Sequence, residues 1–143
     1  MRWFIHKCQA LSAPERWLVL EAVACLLWVR VILALFPLAT ALQILRRPTV
    51  AEKVPAASSG GAEEIKRALY RAAHYVPFKA LCLQQAFAAS LMLRRRGLPA
   101  AVHFGVRGKG DSIVAHAWSV SGESPITGTE LADQFVPIAV FDA

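Results

Sequence analysis

Residues 82–120, CLQQAFAASLMLRRRGLPAAVHFGVRGKGDSIVAHAWSV, change period half-way along, and that change decides the fold. From Cys82 to Leu93 the apolar residues recur at helical spacing. Cys82, Ala86, Ala89 and Leu93 share one face, and the small alanines let another element approach it closely. Arg94, Arg95 and Arg96 stand at the negative end of the helix dipole, Gly97 suits a left-handed terminal position, and Pro99 prevents continuation. Beyond it the pattern alternates, which predicts strands over residues 100–107 and 113–120 joined by a turn at 108–112. In the second strand Val114, His116, Trp118 and Val120 share a face.

Downstream, Ser121-Gly122 supplies a turn and residues 125–128 read as another strand; residues 136–141 give a last one, with Pro137 suited to an edge. Upstream, Glu63 and Glu64 open a short amphipathic helix whose face carries Ile65, Leu69, Ala72 and Val76, ending before Pro77. Residues 48–61, rich in Pro, Ser, Gly and Ala, read as a linker. It separates an apolar N-terminal helical region, residues 1–47, from a core over 62–143. Helix followed by antiparallel sheet is the pattern of an α+β domain.

Within residues 14–45, Ser12 can cap a helix that Pro14 and Glu15 open, and a break near Pro37 predicts a pair of helices packed on the rest of the chain. Glu21 and Arg30 interrupt the apolar run, so a bilayer span is not favoured, while contact with a membrane or a partner stays open.

The chain has 143 residues, enough for one core, and 56% hydrophobic against 18% charged residues argues for a folded domain. A formal charge of +6 favours acidic partners. No nucleic-acid role is expected, because the basic runs Arg46-Arg47 and Arg94-Arg95-Arg96 lack interleaved aromatics. Cys8, Cys25 and Cys82 form neither a CxxC pair nor an even framework, so no metal site or disulfide scaffold is indicated. With no convincing signal peptide either, a cytoplasmic location is expected.

A cysteine opening a helix is chemically poised, since unpaired N–H groups there favour a thiolate and can hold an oxyanion. Thiol catalysis also needs an imidazole within reach, and His116, on an apolar strand that Trp118 can wall from water, suits the role better than His103. His6 and His74 read as surface or packing residues.

Cys82-Leu83, Ala86, the run from Leu93 to Ala100, His103-Phe104-Gly105-Val106 and Ala115-His116-Ala117-Trp118 together resemble the lasso-peptide B2 proteins, transglutaminase-like cysteine peptidases. The resemblance covers about residues 63–143, and Pro14-Glu15-Arg16-Trp17 is similar to the family's N-terminal region. It implies a papain/transglutaminase-like core in which Cys82 is the nucleophile and His116 the base. It further implies a peptidase that removes the leader from a precursor peptide, with no metal, ATP or other cofactor needed for hydrolysis. Its implied partners are a separate leader-recognition protein of the B1 type and a lasso cyclase. An acyl-transferring enzyme of the same thiol chemistry and a non-catalytic binding protein are the alternatives. One departure stands out: the family's acidic third member falls about a dozen residues beyond the histidine, where this chain reads Glu123-Ser124-Pro125-Ile126-Thr127-Gly128. Thr127, Glu123, Glu130, a backbone carbonyl or no third group at all fit that place, whereas Asp111 and Asp133 read as turn residues.

Overall fold

The computed structural model describes residues 11–46 and 61–142. Helices α1 (Ala13–Leu35), α2 (Leu38–Arg46), α3 (Ala62–Ala73) and α4 (Cys82–Arg95) precede strands β1 (Ala101–Lys109), β2 (Ser112–Ser121), β3 (Ser124–Thr127) and β4 (Val136–Asp142). A 3-10 helix, Thr129–Gln134, joins the last two strands. The linker expected at residues 48–61 lies outside the described residues apart from Gly61, the residue before α3.

The sheet is antiparallel with order β3-β2-β1-β4, so β4, with its proline, forms one edge. Opposed residues project to the same side of a sheet. Phe104 pairs with Ala117, while Val102 pairs with Ser119 on one flank and Phe141 on the other. These residues face α4, whose buried Phe87 sets its ring edge-on to Phe141 at 5.4 Å and tilted against Phe104 at 6.2 Å. Fully burying a side chain such as Phe87, Leu69 or Leu26 contributes about 1.5–3 kcal/mol each.

The end of α4 follows its sequence closely. Gly97 adopts φ 66°, its N–H donates to the Arg94 carbonyl, and the Leu98 N–H donates to Leu93, both at 3.0 Å. The arginine run is used inside the fold. Arg94 donates to the Leu45 and Arg46 carbonyls at 2.6 and 2.9 Å, at the end of α2, and Arg96 pairs with Glu21 of α1.

Pro37 ends α1 as the sequence predicts, and Glu21 and Arg30, the charges within its apolar run, both find partners. Glu21 turns inward to Arg96, and the Arg30 guanidinium lies over the Phe78 ring at 5.5 Å. The resulting 23-residue helix, with mean hydropathy 2.4 in its most apolar window, is long and apolar enough to cross a membrane. A core helix of a soluble protein meets the same description, and this one commits Leu18, Ala22, Leu26, Val29 and Ile32 to a core shared with α3 and α4. Its other side leaves Trp17, Leu20, Trp28 and Leu35 exposed. Helix α3 stops at Ala73, earlier than the apolar spacing suggests, and Val76 is buried from the turn beyond it.

Candidate active site

Cys82 is the first residue of α4, half-buried at the margin of the core. The first helical bond runs from the Gln85 N–H to the Leu81 carbonyl, so the N–H groups of Cys82, Leu83 and Gln84 precede the helical ladder. Two glutamines brace the approach. The buried Gln84 accepts the Leu81 N–H on Oε1 at 3.1 Å, and Gln85 donates from Nε2 to the Ala80 carbonyl at 2.8 Å. The turn that presents the thiol is thus held by side chains that a search for nucleophile and base overlooks. A glutamine three residues after the residue preceding the helix was the available signal.

Helix α4 runs back into β1 through residues 96–100, and Phe87 marks its level against Phe104. Cys82 lies about 7 Å further along the helix axis, toward the Gly105 end of β1. Gly105 pairs with His116, so Cys82 and the histidine lie toward the same end of the sheet, the helix on one side of it and the imidazole projecting from the other. Among the described residues no hydrogen bond joins the two side chains.

His116 and Trp118 lie one residue out of phase with Ala117 and project from the opposite side of β2. There the imidazole is buried between rings, stacked on Trp118 at 5.9 Å and tilted against Phe135 at 4.9 Å. Trp118 is stacked in turn on His103 at 5.5 Å. The series ends in the Arg107 guanidinium, 4.9 Å above Phe135 and hydrogen-bonded to Gln134. Gly105 makes this packing possible, since a Cβ there would lie 2.9 Å from both Phe135 Cβ and the Trp118 ring.

The ring's hydrogen bond identifies its tautomer. His116 Nε2 lies 2.8 Å from the Gly128 carbonyl oxygen, which can only accept, so Nε2 donates and, in the neutral ring, the lone pair is on Nδ1. None of the three side chains considered for this place makes that bond. Thr127 pairs across the strands with Ser119, hydroxyl to hydroxyl at 2.8 Å, on the helix-facing side. Glu130 engages the Tyr70 phenol on α3, and Glu123 is exposed in the β2–β3 turn. The phenol also takes a hydrogen bond from the Gly128 main chain; burial, followed by the Glu130 charge, raises its pKa.

The other described cysteine is of a different kind. Cys25 is buried in α1, and burial, reinforced by Glu21, pushes its thiol up to about 11. A cleft of about 280 Å³ between the start of α1 and α3 includes neither Cys82 nor His116 among its lining residues. Among the described residues no group of three or more His, Cys, Asp or Glu is arranged to hold a metal ion.

Residues 23–140 match the family model described as the transglutaminase-like superfamily. No curated protein and no solved structure matches the chain.

Proposed function

From the premise that this chain belongs to the transglutaminase-like superfamily, a family of cysteine-based catalysts, we propose that it is a peptidase that removes the leader from a lasso-peptide precursor. The observations that carry the reading are a cysteine that opens a helix and, on the sheet, a histidine whose Nε2 is bonded to a main-chain carbonyl, leaving Nδ1 available as a base. In this reading Nδ1 of His116 takes the Cys82 proton and the thiolate attacks the carbonyl at the leader–core junction. The Cys82 N–H helps hold the tetrahedral oxyanion. His116 then protonates the departing amine of the core, and water attacks the thioester, freeing the leader's carboxylate and restoring the thiol.

A separate small protein of the B1 type would present the leader, and a lasso cyclase would receive the core. The ordered motifs from Cys82 to Trp118 support the choice of substrate class. The test is mass spectrometry of a lasso precursor incubated with this protein and its recognition partner, beside Cys82→Ala and His116→Ala. Leader-sized and core-sized products that vanish in both variants are expected. An intact precursor in a demonstrated complex would overturn the reading, and mass gained from an added amine would replace hydrolysis with acyl transfer.

A further inference from the structure

We propose that the main-chain carbonyl of Gly128 replaces the acidic third member of this site. The inference rests on the peptidase reading for its catalytic meaning, though its geometry stands apart from any substrate. A third group must fix which imidazole nitrogen bears the proton, and an acceptor-only oxygen 2.8 Å from Nε2 does so without a carboxylate.

The surroundings are built for this contact. Gly128 has φ 71°, where L side chains are strained. A Cβ there would lie 2.9 Å from the Ala117 carbonyl oxygen and 3.1 Å from His116 Nε2. The Ser119–Thr127 pair fixes the end of β3, so the next carbonyl falls beside the ring. Trp118 and Phe135 limit the ring's rotation. Helix α3 packs against β3, the strand that leads into Gly128. The carbonyl supplies orientation but no negative charge, which separates its role from that of an aspartate.

The test is nitrogen-15 NMR of the histidine-labelled full chain, read with leader cleavage. The wild type should show neutral His116 protonated on Nε2. Gly128→Ala should give a mixture of tautomers and a kcat lower by about a hundredfold, the cost of a misplaced catalytic group. A wild-type His116 protonated on Nδ1, or a folded Gly128→Ala with wild-type tautomer and rate, would overturn the proposal. If Gly128→Ala fails to fold, the wild-type spectrum decides by itself. An Nε2-protonated ring in a protein that cleaves no precursor would sink the peptidase reading while leaving the positioning contact in place.

Discussion

Replacing Glu21 with alanine should destabilise the fold far more than losing a surface ion pair would. The Arg96 side chain is 5% exposed and that of Glu21 17%, and the two meet in a bidentate pair at 2.9 and 2.6 Å. Arg96 also donates to the Met92 carbonyl, so the guanidinium is fixed in place, and Arg95 lies 3.5 Å from the same carboxylate. Removing one partner of a buried pair costs about 3–5 kcal/mol, because the remaining charge stays desolvated. Partial exposure of Glu21 places the loss near the lower figure. For a domain of this size that is a fall in Tm of roughly 10 °C, measurable by circular dichroism or calorimetry. Glu21→Gln, which keeps the shape, should lose less. The double variant Glu21→Leu/Arg96→Met should recover most of the loss, since an apolar pair of similar volume has no charge to desolvate. Glu21→Ala within about 0.5 kcal/mol of wild type would refute the reasoning, as would a double variant no more stable than Glu21→Ala.

Two further expectations concern packing and pH. Gly105→Ala should destabilise by about 1–3 kcal/mol through overpacking against Phe135 and Trp118; a urea midpoint equal to wild type would show that the rings yield freely. The Cys25 thiol, pushed up by burial from its ordinary value near 9 to about 11, binds its proton more tightly in the folded state. Stability from this group is therefore complete below pH 9 and declines as pH rises toward 11. Melting curves should show that decline, and Cys25→Ala should remove this component of it; an identical pH slope in the variant would count against burial as the cause.

Much of this architecture was legible because local patterns and tertiary needs agree. The Gly97 terminus, the helix face of Ala86, Ala89 and Leu93, and the hairpin carrying His116 and Trp118 each have a residue signature that the fold obeys. The pairing of Glu21 with Arg96 was not legible, since 75 positions separate them and each reads alone as a helix charge. Gly128 escaped for another reason. A backbone carbonyl stood among the options beside Thr127, Glu123 and Glu130, but which residue supplies it was not legible, because a carbonyl has no identity in a sequence.

The β2–β3 hairpin carries a consequence for comparing this chain with others. Every residue owns a carbonyl, so no point substitution can delete the group that His116 meets, whereas inserting or removing one residue between Ser121 and Ser124 would carry it out of register. Competence at this position is then a matter of hairpin length and of room for a glycine. A search of related chains for an aspartate would discard members that a count of residues from the histidine would keep.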